Sequence, residues 1–459
     1  MSSHQPFQKS YIYAALWLAI VGGFALGAHI AMPMGFGWDL PPFYQIWVQT
    51  HGHLQLLGWT GLFIIGVSLY FMPRFVKVPL PYQSLTKYIL LSITTGLILK
   101  TGALFTIPYL EEGTIRSLLT NLVRFGAALV WTGIVFYLFI IVTLFKRKPR
   151  NYEGLKSVQP FFALMIAGFF VYSSLHLIQY FLFDVISRMP WSTLSVDIFI
   201  MLVLFPVAFA FSVRTFPLFI QIPPFGVSFY RFGIIYGICT ILYLSGSFFY
   251  IPLHLDQFSK IIISLVIIIL IHHLKLIPKM ILSPRRFMIR YYGEQYLKDR
   301  IDSGAFTKAR PGYYDYGQYG RFELLIYSAY IWLILYAVLE LLRNISQLTA
   351  LSLPFGHDPV RHVFLLGFIT LLIFGMAQRM LPGFEKKKGL WSRSIVIWTF
   401  ILGNLAVLGR VLPMLLPQRW FAGVPIVHEW LMYGFGMSGL FAIVALILLL
   451  VNMWKTFKR

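Results

Sequence analysis

Stretches of about 20 apolar residues, the length of helix that crosses the hydrocarbon core of a bilayer, recur twelve times along these 459 residues. Read from hydropathy alone, they run over 11–32, 43–72, 86–107, 118–145, 158–186, 193–219, 227–251, 257–282, 319–342, 359–381, 391–415 and 425–453. Pro206 and Pro217 interrupt the sixth stretch and Pro278 the eighth, which weakens the helical signal in the middle of the chain. Residues are 58% hydrophobic and only 12% charged, more apolar surface than a soluble core buries. The expected class is all-α: a polytopic membrane protein of about 12 transmembrane helices, forming one integral membrane domain over residues 1–459.

A net charge of +22 would fit a nucleic-acid binder, but in a membrane protein charge follows topology. With both termini inside, the inner segments hold 26 Lys and Arg residues. The outer segments hold 7: Arg116, Arg188, Lys260, Arg343, Arg361, Arg410 and Arg419. That asymmetry follows the positive-inside rule and accounts for the basic balance without nucleic acid. It places the protein in a cytoplasmic (inner) membrane with both termini cytoplasmic. The basic, Tyr-rich stretch 283–318 reads as a cytoplasmic connector touching anionic lipid headgroups. The single cysteine, Cys239, excludes an intramolecular disulfide and the C-x-x-C-H pattern of covalent haem attachment. The start MSSHQPFQKS lacks a cleavable signal pattern, so 11–32 is expected to stay as a helix.

Inside this pattern lies a repeat. From His51 the chain reads HGHLQLLGWTGLFIIGVSLYFMPRF, and from His362 HVFLLGFITLLIFGMAQRMLPGF. Aligned on His53 and His362, Leu56-Leu57-Gly58 falls on Leu365-Leu366-Gly367, Gly66 on Gly375, Pro73 on Pro382 and Phe75 on Phe384. A weaker third copy ends the sixth span, where RTFPLF from Arg214 matches RMLPGF from Arg379. In it Asp197 stands at the histidine position. Such repetition reports an architecture assembled from like units, here a pseudo-three-fold bundle of four-helix units.

Eight of the eleven histidines gather toward the outer face: His29, His51, His53, His176, His254, His357, His362 and His428. Ionisable side chains inside a membrane are costly and tend to mark functional sites. Near loop ends, as at His254, His357 and His428, interfacial placement costs little and needs no such reading. His51 and His53 point roughly 200° apart on a helix, so they serve separate sites on its two sides. Imidazole ligates haem iron and suits copper. His53 and His362, equivalent in the repeat, are the candidate pair for one planar macrocycle; the bland alternative is hydrogen bonding to neighbouring carbonyls. Arg124, Arg361, Arg410 and Arg419 lie on the same face, where guanidinium forks suit paired carboxylates or snorkel to the interface. Lys100 and Glu340 are more embedded, either paired with each other or on a proton path.

An outer-half histidine in span two, another in span ten, twelve spans and a three-fold repeat together resemble haem–copper oxidase subunit I. In that family the two histidines hold the low-spin haem. More narrowly, HGHLQLLGW with its long apolar run and Pro-Arg exit is similar to the NnrS-type membrane proteins, described as haem- and copper-containing and associated with bacterial nitric oxide metabolism. This resemblance implies haem b between His53 and His362, a second haem or copper at His51, and nitric oxide as a ligand, with an unidentified electron donor. Departures from the oxidases are plain. Val360 stands where the catalytic haem's histidine would be, and spans six and seven contain none of the three copper-ligating histidines. His176-Leu-Ile-Gln-Tyr180 has the oxidase His-x-x-x-Tyr spacing but falls on span five, leaving His176 a second-site metal candidate. His272-His273 lies too far inward to join the outer cluster.

Two rival readings stand beside this one: a terminal oxidase or nitric oxide reductase catalytic subunit, and a transporter without a metal cofactor, since repeats and buried charges are transporter features too. There is no phosphate-binding glycine loop; glycines within spans read as helix-packing contacts.

Overall fold

The computed structural model describes residues 6–40, 43–148, 153–186, 191–249, 254–303, 317–349, 351–416, 420 and 423–459. Its described elements are all helical, and twelve are long and apolar enough to cross a membrane. In order they are Lys9–Phe36, Tyr44–Val76, Leu85–Tyr109, Thr114–Lys146, Lys156–Leu182, Ser192–Phe219, Phe229–Phe249, Leu255–His273, Phe322–Thr349, His357–Phe384, Ser394–Leu415 and Pro425–Lys458, called spans one to twelve below. The chain is a multi-pass membrane protein.

Proline acts differently in the two spans that the sequence flagged. Span eight stops at His273 instead of running to 282, because Lys275 turns left-handed (φ 57°) and opens a separate short helix, Leu276–Ile281, that accommodates Pro278. Span six, by contrast, passes both of its prolines without a break. A π-helical turn over Phe199–Leu204 directly precedes Pro206. A π turn changes the bonding register, which relieves the lost i→i−4 bond that proline imposes on an α-helix.

The π turns are a shared device. Span two carries one over Leu54–Gly61 and span ten one over Val363–Thr370. These segments coincide under the alignment of His53 on His362, each starting one residue after the histidine. Span six starts its π turn two residues after Asp197. The repeat is therefore one of backbone geometry as well as sequence. The Thr370 hydroxyl donates to the Leu365 carbonyl five residues back at 2.9 Å, the spacing of a π turn, while the Thr60 hydroxyl donates chiefly to the Leu56 carbonyl four residues back, with Gln55 at 3.3 Å.

The described residues gather into two compact units. The first comprises Met1–Val207, Ser247–Phe249 and Met432–Ile443; the second comprises Ala208–Gly246, Tyr250–Leu431 and Val444–Arg459. Within the first, span one packs on span two, span three on span four, and span five on span four and the π turn of span six. Within the second, span nine packs on spans eight and ten, and span eleven on span ten. The repeated glycines let these pairs close. A Cβ at Gly66 would lie 2.5 Å from Tyr11 Cβ of span one, and one at Gly375 would lie 2.9 Å from Ile326 of span nine. In the 283–318 connector, Ser283 caps a helix over Pro284–Tyr292, exposing Arg285, Arg286 and Arg290 and burying Phe287 and Met288.

Candidate functional site

In the first unit, span two aims its two histidines at different neighbours, as the helical angle between them requires. His51 faces span one: its Nδ1–H donates to the Gly23 carbonyl (2.8 Å), and its ring covers Gly27, where a Cβ would meet Cε1 at 2.5 Å. His53 faces span five and is 5% exposed. Its Nδ1 is hydrogen-bonded to the Tyr172 hydroxyl at 2.8 Å, and the two rings stack at 14°. The His176 ring lies 4.4 Å from that of His53, centroid to centroid, and 4.5 Å from that of Tyr172. Among the described residues, the buried Nε2 of His53 and Nδ1 of His176 have no hydrogen-bond partner.

Spacing builds this cluster. Tyr172, His176 and Tyr180 recur every fourth residue, which puts them on one stripe of span five. The Tyr180 ring receives the Lys100 ammonium of span three at 5.1 Å, and the Tyr180 carbonyl receives Arg124 Nε of span four at 3.1 Å. Tyr172 was not among the sequence candidates, although the Tyr-x-x-x-His-x-x-x-Tyr ladder was there to be read. Arg124, a candidate for cofactor carboxylates, is engaged with that backbone carbonyl.

In the second unit, His362 is half-buried in the first turns of span ten. Its Nδ1–H donates to the Asp358 carbonyl (2.8 Å), and Arg410 Nε of span eleven donates to its Nε2 (3.3 Å). Arg361 beside it is also half-buried. Arg419 lies outside the described residues, as does Arg188. His53 and His362 fall in different units.

His51, His53 and His362 share one arrangement. Each has Nδ1 engaged in a hydrogen bond, which fixes the ring; the buried Nε2 of His53 has no hydrogen-bond partner, whereas that of His362 accepts from Arg410. That is how a metal-ligating histidine is held: the outer bond sets the tautomer and orients the ring. The fit to haem iron is good on this point. The fit to an oxidase-type copper trio is poor, since no group of three or more His, Cys, Asp or Glu able to hold a metal occurs among the described residues.

A second polar cluster lies in the same unit as His362, and it corrects two expectations. Lys260 and Arg343, assigned by charge to outer segments, are buried within spans eight and nine. Glu340 draws them in: Arg343 Nη2 donates to it at 3.1 Å, Lys260 Nζ lies at 3.9 Å, and Asn344 Nδ2 donates at 3.1 Å. These groups, not Lys100, are the partners of Glu340.

Comparison with solved structures decides the architecture. A heme-copper terminal oxidase dimer, determined by cryo-electron microscopy, aligns with a TM-score of 0.68 at 11% identity, covering 98% of this chain and 83% of that one. The fold is shared with a haem–copper oxidase. At that identity the likeness is one of fold, and it accords with the subunit I resemblance of the sequence. No protein-family model matches the chain, and no curated protein does. Against the oxidase pattern, spans six and seven remain without histidine.

Proposed function

We propose that this protein is a b-type haem protein of the bacterial cytoplasmic membrane, in which His53 and His362 would hold the haem, with a role in nitric oxide metabolism of the NnrS kind. The observation that carries the reading is the anchoring of both rings through Nδ1, to Tyr172 and to the Asp358 carbonyl, with the Nε2 of His53 unpartnered; at His362, iron would take the place of the Arg410 donor on Nε2. A haem held by two histidines supplies electron transfer and has no open position for a gas. The protein's own groups do the rest. Tyr172 orients His53, Asp358 orients His362, and Arg410 offers a cation beside the second ligand for a cofactor carboxylate. His51, anchored on Gly23, is the candidate ligand of a second haem or a copper ion. The inner-loop excess of Lys and Arg supports cytoplasmic termini.

A catalytic oxidase or nitric oxide reductase is the second reading, favoured by the shared fold and opposed by the absence of the copper-ligand histidines. One preparation separates the two. Protein expressed with ample haem is expected to give b-type bands in a reduced-minus-oxidised spectrum and no consumption of oxygen or nitric oxide with an electron donor. Consumption would establish the catalytic reading. Absence of haem bands would leave a transporter. Substituting His53 or His362 singly by alanine is expected to abolish the low-spin signal; survival of the full signal in both variants would remove the assignment.

Tyr172→Phe gives a finer test. Losing the bond to Nδ1 lowers the basicity of the His53 imidazole and so stabilises ferric iron less. The haem is expected to remain bound with a raised reduction potential and about 10–100-fold weaker retention. A potentiometric titration identical to the wild type would show that Tyr172 does not tune the iron.

A further inference from the structure

The Lys146 end of span four and the opening turns of span five part around a cleft of about 350 Å³. Its walls are two apolar stripes at helical spacing: Val142 and Phe145 from span four, and Phe162, Ala163 and Ile166 from span five. The Phe145 and Phe162 rings approach each other there, with centroids 5.9 Å apart. Ala163 is exposed, so the cleft opens on the surface of the bundle and is not a defect of its core.

Polar groups are confined to one end. Lys146 and Lys148 come from the last residue of span four and the turn after it, and Gln159 from the first turn of the α-helix in span five. Arg147, between the two lysines, turns aside and sets its guanidinium 5.8 Å from the Tyr82 ring centroid. Among the described residues no carboxylate lines the cleft. Two ammoniums and an amide at the mouth of an apolar trough suit an amphiphile with an anionic head. A free anion would leave the apolar walls to water, and a neutral hydrocarbon would leave both ammoniums without a counter-charge. The volume lies at the small end of the range for ligand clefts, enough for part of one lipid and too little for a partner helix. The mouth also belongs to the Lys- and Arg-rich side of the chain, the side that meets anionic headgroups.

We propose that this cleft binds one anionic phospholipid. Lys146, Lys148 and Gln159 hold its phosphate, and an acyl chain lies between Phe145 and Phe162 toward Ile166. A cation beside an anionic headgroup strengthens binding about fivefold, so the two lysines together supply about 25-fold. The site does not depend on the haem reading.

Native mass spectrometry of the full-length protein, released from detergent with added dioleoyl phosphatidylglycerol or dioleoyl phosphatidylcholine, tests it. One phosphatidylglycerol per chain is expected to be retained in preference to phosphatidylcholine. Lys146→Gln/Lys148→Gln should weaken phosphatidylglycerol binding about 25-fold and leave phosphatidylcholine binding unchanged. Both lysines lie at the end of a span, one exposed and one half-buried, so this variant is expected to keep the lipid-free thermal midpoint of the wild type. Lys386→Gln/Lys388→Gln removes the same charge from exposed positions elsewhere and should change nothing. Ala163→Trp, which fills the cleft and keeps both lysines, should also weaken binding, at least fivefold. Equal retention of the two lipids, or equal loss in the two double variants, would reduce the contact to ordinary surrounding lipid and overturn the site. Displacement of the lipid by soluble glycerol 3-phosphate would assign the lysines to a free phosphate and overturn it too. Selective lipid binding by a preparation without haem bands sinks the haem reading and leaves this one standing.

Discussion

Glu340→Ala is expected to destabilise the protein by about 3–5 kcal/mol, the cost of breaking a buried ion pair from one side. Glu340 is the carboxylate on which Lys260, Arg343 and Asn344 converge, and all four side chains are buried. Removing it leaves two cations facing each other across spans eight and nine, where neither is screened by water. The spans are also joined there, since Lys260 belongs to one and Glu340 to the other. Replacing Lys260 by Met in the Glu340→Ala background should recover part of the loss, because one uncompensated charge disappears with it. Unfolding in a detergent–denaturant series checks both results. A loss under about 1 kcal/mol for Glu340→Ala would place it in the range of weak membrane polar contacts and not of an ion cluster.

The second large effect belongs to the contact between spans three and four. A Cβ at Gly96 would lie 2.5 Å from the Gly126 carbonyl oxygen, and one at Gly126 would lie 2.7 Å from the Gly96 carbonyl oxygen. Backbone meets backbone on both sides, so no rotamer change relieves the clash. Gly96→Ala is expected to cost about 1–3 kcal/mol, and Gly96→Leu more, because the helices must part to admit the side chain. Gly102, two turns on, is exposed with nothing within 4 Å of its Cβ position. Gly102→Ala should therefore be neutral or stabilising by up to about 1 kcal/mol through helix propensity alone. Equal effects at the two positions, read as thermal midpoints in detergent, would show that close packing is not what Gly96 provides. Lys100 lies one turn beyond Gly96, and a Cβ at Gly126 would meet its backbone nitrogen at 3.1 Å. A forced separation of the spans would therefore move that side chain as well.

Much of this fold was legible because bilayer thickness imposes a length on every crossing. Hydropathy finds the twelve spans without knowledge of their neighbours, and all twelve are present, most ends shifted by a few residues and that of span eight by nine. What hydropathy misses is whatever depends on a partner elsewhere in the chain. Lys260 reads as an outer-loop cation until Glu340, 80 residues later, is found beside it. The same blindness suggested a Lys100–Glu340 pair, since the only cue was that both are embedded. The site was half legible. The repeat singled out His53 and His362, and the opposed directions of His51 and His53 follow from the helical angle. The Tyr172 bond and the approach of His176 do not follow, because they depend on which face of span five turns toward span two. The π turns leave no mark on composition; those of spans two and ten fall where the repeat aligns, whereas span one carries another, over Leu18–Phe24, outside it.

Those π turns carry a consequence of their own. An extra residue in one turn breaks the angular registry between the two ends of a helix. On spans two and ten, the segment bearing the histidine can then be re-aimed by adding or losing a single residue while the remainder of the rod keeps its seat. A scaffold divided in this way lets the direction of the side chain at that position change with little disturbance to the buried remainder of the span. The same position can thus present imidazole in two copies of the unit and a carboxylate, Asp197, in the third.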